Sequence, residues 1–158
     1  MVTFFGINEL YSQTTIYVPA DHATIQAAVN AAVAGDIVHI SAGNYPVSTA
    51  ITVDKNITIE GEGDATLIQR QNPGSSSRTF SFTGSAGGAT LKDLKIDGDS
   101  DFTGGPMTSS YYPNGYVINI AIGADGVAVD NITFQNGRYA ILIYSDDVIV
   151  QNCRFTGY

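Results

Sequence analysis

The chain has 158 residues, a formal net charge of −8 and one cysteine; 44 % of its residues are hydrophobic and 14 % are charged. This length suits a single domain with a real core. The negative charge argues against nucleic acid or an anionic membrane surface as partner, because binding to either requires clustered Lys and Arg. A single cysteine excludes a disulfide framework. No apolar run reaches the roughly 18 residues that suggest a transmembrane helix.

The first 14 residues lack the basic cluster that begins a complete signal peptide. They resemble the last part of one, ending at Ser12-Gln13, and a disordered or edge-strand N-terminus is the alternative. We therefore expect one domain over residues 15–158, secreted, at the cell surface or periplasmic.

A short strand followed by an amphipathic helix is predicted at the start of this domain. Thr15–Val18 is rich in β-forming residues. Asp21 or Thr24 can cap the helix that follows, and Gly35 is expected to end it in a left-handed conformation. Apolar residues three and four positions apart predict about three helical turns. They are Ile25, Ala28, Val29, Ala32 and Val33.

A repeat rich in β-forming residues organises the rest of the chain. Val129–Phe134 is echoed 21 residues later (129 to 150) by Val150–Phe155, and related segments occur at Val53–Ile59 and Leu91–Ile96. Such a short repeat predicts a solenoid in which each repeat forms one coil. Because Asn and Asp tolerate left-handed backbone, we interpret one aligned column as a hydrogen-bonded ladder at a bend. This column is Asn56, Asp93, Asn131 and Asn152.

Alternation along the aligned strands separates inward from outward side chains. The predicted inward positions are Ile57 and Ile59, Leu94 and Ile96, Ile132 and Phe134, and Cys153 and Phe155. Cys153 is therefore interpreted as a small core residue. The outward row between them is Thr58, Lys95, Thr133 and Arg154.

Within this row, Lys95 and Arg154 lie two coils apart, roughly 10 Å at the spacing of stacked strands. They can serve as a Brønsted base or as a clamp for a carboxylate. The alternative is that both cations only improve solubility.

Two segments dense in Gly, Pro, Ser and Asn, at 70–78 and 98–115, predict long loops. Asp97, Asp99 and Asp101 stand at the start of the second loop, an alternation of carboxylates that Ca²⁺ favours. It is not an EF-hand loop, because Thr108 stands at the twelfth position. An ordinary solvated turn is the alternative.

The same loop is rich in aromatic residues, and flat rings beside carboxylates suit sugar rings. The alternative is that these rings fold back over the coil. The complete set of candidate carbohydrate-binding residues is Phe102, Tyr111, Tyr112, Tyr116, Lys95 and Arg154.

Thr24–Val29, Gly35-Asp36, Gly43–Tyr45 and Ile57–Gly61 resemble the N-terminal cap and first coil of the pectin-lyase-like superfamily. Pectate lyases, pectinesterases, polygalacturonases and phage tailspikes belong to it. The resemblance implies an all-β, right-handed parallel β-helix with an N-terminal capping α-helix. It also implies a polysaccharide partner, which can be rich in uronate, and Ca²⁺ as a candidate cofactor, since pectate lyases hold Ca²⁺ with carboxylates.

Asp130–Asn136 and Cys153–Tyr158 look like two pectinesterase segments, but Tyr139 stands where that family has its catalytic Gln. No Ser-His-Asp set is indicated, since His22 and His39 both lie in the N-terminal region. We therefore expect the N-terminal part of a secreted β-helix that binds or degrades polysaccharide, inactive alone because its catalytic coils are missing. The alternatives are a non-catalytic adhesin, surface or tailspike-like module, and a self-associating solenoid.

Overall fold

Parallel strands dominate the structure, a computed structural model that describes residues 12–71, 78–98, 116–136 and 139–156, apart from the side chain of Tyr116. In chain order the elements are β1 (Thr15–Val18), α1 (Ile25–Ala31), β2 (Ile37–Ile40), β3 (Gly43–Val47), β4 (Ile51–Val53), β5 (Thr58–Arg70), β6 (Phe80–Phe82), a 3₁₀ turn (Gly84–Ala86), β7 (Thr90–Asp97), β8 (Tyr116–Ile120), β9 (Ala128–Gln135), β10 (Tyr139–Ile143), β11 (Ile149–Gln151) and β12 (Arg154–Thr156).

The strands form two sheets, and every strand pair in them is parallel. Sheet A has the order β1-β2-β5-β7-β9-β11, with β3 beside β5 and β12 beside β9; sheet B has the order β10-β8-β6-β4. From β4 to β11 the chain alternates between the sheets and adds one strand to each in turn. This arrangement is consistent with a β-helix-like fold.

The core lies between the sheets and consists of files of apolar side chains, one from each stacked strand. In sheet B, Ile51, Phe80 and Ile118 are in register. All three are at most 2 % exposed. In sheet A, Leu94 and Ile132 are in register and equally buried. In sheet A, where alternation was predicted, the inward positions of β5, β7 and β9 are buried as expected, although Thr133, at an outward position, is only 8 % exposed.

Helix α1 begins where predicted but is shorter. The hydroxyl Oγ1 of Thr24 accepts a hydrogen bond from the amide N of Ala27 at 3.2 Å, so Thr24 is the N-cap. The helix ends at Ala31, because the next residue is already extended. Gly35 does have a positive φ of 94°, but it belongs to the turn before β2 and is not the helix C-cap.

The predicted register of the first coil is wrong. Thr58 pairs with Thr90, 32 residues later (58 to 90), whereas Lys95 pairs with Leu67. Leu67 therefore takes the place assigned to Thr58 in the outward row. Asn56 likewise leaves the predicted column and lies against Gly88, where an added Cβ would be 2.8 Å from the Asn56 amide nitrogen.

The remaining three members of the column lie at the predicted bend, but only two of them are hydrogen-bonded to each other. Asp93, Asn131 and Asn152 all have left-handed backbone, with φ of 56°, 52° and 54°. The side-chain amide of Asn131 donates to Oδ1 of Asp93 at 2.8 Å, so neighbouring coils are joined at this bend. The amide of Asn152 instead donates to Oδ1 of Asp130 at 2.8 Å.

Three further observations concern strand β3 and the last repeat. The segment Gly43–Tyr45 forms part of strand β3. Cys153 packs against the core as expected, and burial raises the pKa of its thiol. Phe155 is 52 % exposed, but its ring stacks on that of Phe134 with centroids 5.1 Å apart.

Candidate functional site

The outer face of sheet A carries two adjacent files of side chains that cross the stacked strands. The first, called the polar file, contains one residue from each of β1, β2, β5, β7, β9 and β11. It consists of Tyr17, His39, Glu60, Lys92, Asp130 and Gln151. The second, called the cation file, consists of Leu67, Lys95, Thr133 and Arg154.

Members of the polar file contact their neighbours on adjacent strands. The Tyr17 ring lies 5.4 Å from that of His39, centroid to centroid. Glu60, on β5, contacts the strands on both sides. Its Oε1 lies 3.2 Å from Nδ1 of His39 on β2, and its Oε2 lies 3.0 Å from Nζ of Lys92 on β7. Farther along, the amide of Gln151 donates to Oδ2 of Asp130 at 2.9 Å. Along the file, two aromatic rings are therefore followed by an acid, a base, a second acid and an amide.

The central carboxylate of this file is held in its charged form. Burial alone would raise the pKa of Glu60, but hydrogen bonds from Lys92 and His39, with their charges, lower it below its ordinary value. The pKa of Lys92 is raised, chiefly by its hydrogen bond to Glu60. Both shifts have the sign expected of an ion pair.

The cation file receives a carboxylate from an unexpected part of the chain. Oδ2 of Asp64 lies 2.6 Å from Nη2 of Arg154, although the two residues are 90 positions apart. The same Nη2 donates to Oγ1 of Thr133 at 3.3 Å. A hydrogen bond from Thr133, together with the charges of Arg154 and Lys95, lowers the pKa of Asp64. Arg154 thus binds a carboxylate of the chain itself, and a clamp for a ligand carboxylate stays a prediction.

A bulge in β5 brings Asp64 to this position. Between Gly63 and Leu67, β5 advances four residues, while β7 advances only from Leu94 to Lys95. Asp64, Ala65 and Thr66 are thus extra residues, and a bulge of this kind redirects side chains locally.

Two residues fix the shape of the bulge. Thr66 is fully buried, and its Oγ1 accepts from the amide of Glu62 at 2.9 Å and donates to the carbonyl of Ile40 at 3.1 Å. Gly61 lies so close to β7 that an added Cβ would be 2.7 Å from the carbonyl oxygen of Asp93. The bulge is therefore a specific, packed feature.

The predicted calcium ligands are only partly within the described residues. Asp99 and Asp101 lie outside them. Asp97 is 5 % exposed, and its two carboxylate oxygens accept from Nε2 of Gln135 at 3.0 Å and Nδ2 of Asn136 at 3.2 Å. Within the described ranges no group of three or more His, Cys, Asp or Glu residues is arranged to hold a metal ion.

The structure brings together two of the six candidate sugar-binding residues, Lys95 and Arg154, on either side of Thr133. Phe102, Tyr111 and Tyr112 lie outside the described residues, and of Tyr116 only the backbone in β8 is described.

Sequence reasoning missed Asp64 and the group around His39, which lies between Glu60 and Glu62 with Nε2 3.4 Å from Oε1 of Glu62. The alternation in β2 marks His39 as outward, but no sequence signal predicts the bulge that brings Asp64 to Arg154.

In the part of the chain that the structure describes, no helix has the length and apolar character needed to cross a bilayer.

The comparisons with known proteins bear mainly on the fold. The chain matches no protein-family model, and no curated protein matches it. It is similar to the solved structure of a mutant PL6 family alginate lyase, with a TM-score of 0.61 and 21 % sequence identity. The match covers 92 % of this chain and 20 % of that protein, so the chain spans about a fifth of its length. The chain thus shares a parallel, sheet-rich fold with a polysaccharide lyase.

Proposed function

We propose that this chain is a section of a right-handed parallel β-helix that binds polysaccharide along the outer face of sheet A. The parallel pairing of all described strands supports the architecture, as does the preference of parallel crossovers for a right-handed course. In this proposal α1 caps the first coil, because its buried face packs against β1, β2 and β4.

The observation that carries the proposal is the polar file. It crosses six strands, which at about 4.8 Å per step gives a track of roughly 24 Å. Each step approaches the length of one sugar ring in an extended polysaccharide. The file offers carboxylate, ammonium and amide groups for sugar hydroxyls, and Tyr17, 46 % exposed, offers a ring face at one end.

Charge on this face favours one place for an acidic sugar. Around the two files, the acidic residues Glu60, Glu62, Asp64 and Asp130 outnumber the cations, so a uronate is repelled from most of the face. The cation file is the exception, because Lys95 and Arg154 flank Thr133 there. We propose this file as the uronate subsite; the similarity to an alginate lyase supports an acidic polysaccharide as the partner.

Degradation of that polysaccharide, by a lyase or an esterase, is the further part of the proposal. Secretion or display at the cell surface follows from it, since polysaccharides of this kind are extracellular.

Calcium belongs to the proposal as a candidate cofactor at Asp97. As placed, the amide nitrogens of Gln135 and Asn136 point at the carboxylate, an arrangement that satisfies Asp97 without a cation. If both amides turn, their oxygens and the carboxylate form the all-oxygen set that Ca²⁺ prefers. These three side chains supply only part of the roughly six to eight oxygens that Ca²⁺ takes, and bound Ca²⁺ would neutralise part of the charge that repels a uronate.

Calorimetric titration with galacturonate oligomers and neutral oligosaccharides, with and without Ca²⁺, tests the proposal. Arg154→Gln should weaken binding of the acidic oligomer about tenfold, since a hydrogen bond to a charged group contributes about 1.5 kcal/mol. Arg78→Gln is the matched control, because it removes the same charge beside β6 in sheet B. Absence of binding to every sugar tested, or equal losses in the two variants, would contradict the proposal.

The second candidate is a non-catalytic β-helix module. Its supporting observation is that neighbours in the polar file bind one another, as in a ladder that only joins coils. The same titrations separate the two functions, since a structural ladder predicts no binding and a loss of unfolding free energy when Glu60 or Lys92 is replaced.

A further inference from the structure

The carboxylate of Asp64 already occupies the place where a ligand carboxylate would bind. Arg154 holds it at 2.6 Å, and the charge of Lys95 and a hydrogen bond from Thr133 favour its ionised form. The Arg154 guanidinium binds this carboxylate directly, the Thr133 hydroxyl bonds to it, and Lys95 adds a positive charge nearby, a combination suited to a carboxylate. Asp64 shows which chemical group this site accepts.

The bulge in β5 brings Asp64 to this site. The extra residues of β5 between Gly63 and Leu67 have no counterpart in the described pairing of β7 with β9, and Thr66 and Gly61 fix them against β2 and β7. Strand β7 lies between β5 and β9, and β12 lies beyond β9, so the contact spans several strands of the sheet. A chance surface ion pair does not need a packed bulge.

The contact is nevertheless easy to displace. The Asp64 and Arg154 side chains are 53 % and 62 % exposed, so water screens their attraction. The packed bulge fixes the backbone, but the Asp64 side chain can rotate into solvent. A ligand carboxylate can therefore compete for the same donors.

We propose that Asp64 is an internal ligand that closes the carboxylate site of the cation file, and that an acidic sugar binds there only after Asp64 turns away. This inference rests on the proposed function and states what would regulate binding at its uronate subsite. In the alternative, Asp64 positions Arg154 for a sugar that binds beside both groups. The two roles predict opposite effects of removing the Asp64 charge.

The test is Asp64→Asn, which keeps the size of the side chain and removes its charge. Because an exposed ion pair contributes little free energy, it favours the closed site only moderately. The apparent affinity for a galacturonate tetramer should therefore rise about three- to sixfold in this variant. Asp54→Asn is the matched control, because Asp54 is also an exposed carboxylate, paired with Lys55 at 3.4 Å, but lies after β4 in sheet B. Adding Arg154→Gln to Asp64→Asn should abolish the gain.

A second readout does not require a polymer. In NMR titrations with monomeric galacturonate, the Arg154 Nε–H and Thr133 amide signals should shift at lower concentration in Asp64→Asn than in the wild type. The methyl ester of galacturonate, which lacks the charge, should leave both signals unchanged.

Each outcome separates this inference from the proposed function. If polysaccharides bind the wild type and Asp64→Asn with equal affinity, or bind Asp64→Asn more weakly, the internal-ligand role is overturned while polysaccharide binding stands. An equal gain in Asp54→Asn also overturns it, since the effect is then general charge repulsion. If galacturonate binds Asp64→Asn more tightly but no polymer binds any variant, the internal ligand is supported and the proposed function fails.

Discussion

At the residue scale, side chains of residues with left-handed backbone join neighbouring coils at the bends. Asp93 and Asn131 both hold φ near 55°, and the amide of Asn131 bonds to the carboxylate of Asp93. Asn and Asp adopt this conformation at low cost because their short side chains bond locally. The preference explains why the sequence column predicted this bend correctly at three of its four positions.

Replacing Asn131 separates backbone strain from the hydrogen bond. Asn131→Gly keeps the left-handed backbone and removes only an exposed hydrogen bond, so it should cost about 0.5–1 kcal/mol of unfolding free energy. Asn131→Ala loses the same bond and adds about 1–2 kcal/mol of strain. Urea denaturation measures both; equal losses for the two variants would show that the bend does not require a positive φ.

The ionisation of Glu60 makes the stability of the folded protein depend on pH. Its pKa is lowered from 4.5 in the folded protein, so it contributes stability above that value and loses it as the pH falls through the folded pKa. The difference in unfolding free energy between wild type and Glu60→Gln should therefore be about 1 kcal/mol or less at pH 7 and smaller still near pH 3.

The partner provides the control for this prediction. In a Lys92→Met background the pH-dependent difference should shrink, because the main stabilising contact of Glu60 has been removed. A difference that grows as the pH falls would mean that Glu60 is stabilised in its neutral form.

The bulge in β5 is the element on which the candidate site depends. Gly61→Ala places a methyl group 2.7 Å from the Asp93 carbonyl oxygen, so β5 or β7 must shift. We expect a loss of about 1–3 kcal/mol and a weaker contact between Asp64 and Arg154. Gly63→Asn is the control, since Gly63 has a φ of 65° that Asn tolerates and open space around its Cα. Similar losses in the two variants, measured by urea denaturation, would contradict the packed bulge.

The same element shows where sequence reasoning reached its limit. Inward and outward positions were predictable, because alternation within a strand is a local property. The register between Thr58 and Thr90 was not, because residues inserted in β5 shift the pairing without disturbing the alternation on either side. The resemblance of Val53–Ile59 to later repeats therefore placed Asn56 and Thr58 in the wrong files.

Helix α1 illustrates a second limit. Its cap at Thr24 and its buried face were predictable from residue types and spacing. Its end was not, because Val33 satisfies the pattern of the helix but is 54 % exposed, with its amide bound to Oδ2 of Asp36 at 2.9 Å. A hydrogen bond to a residue only three positions away there overrides the helical periodicity.

The whole molecule is organised by stacking of parallel strands along one direction. The inward positions of the last described strands continue the core files, as the stacking of Phe155 on Phe134 shows. This stacking also aligns the outward side chains, so residues distant in sequence form continuous files on one face. Lys95, Thr133 and Arg154 become neighbours for this reason alone, as the predicted row required.

The central claim is that this aligned outer face of sheet A binds polysaccharide. Amide chemical-shift mapping of the full chain with a galacturonate tetramer tests it most directly. We expect shifts concentrated at outward positions of β5, β7, β9 and β12, largest near Lys95, Thr133 and Arg154, with Thr52 and Ser81 of sheet B unchanged. Shifts confined to sheet B, or no shifts at millimolar tetramer, would contradict the claim.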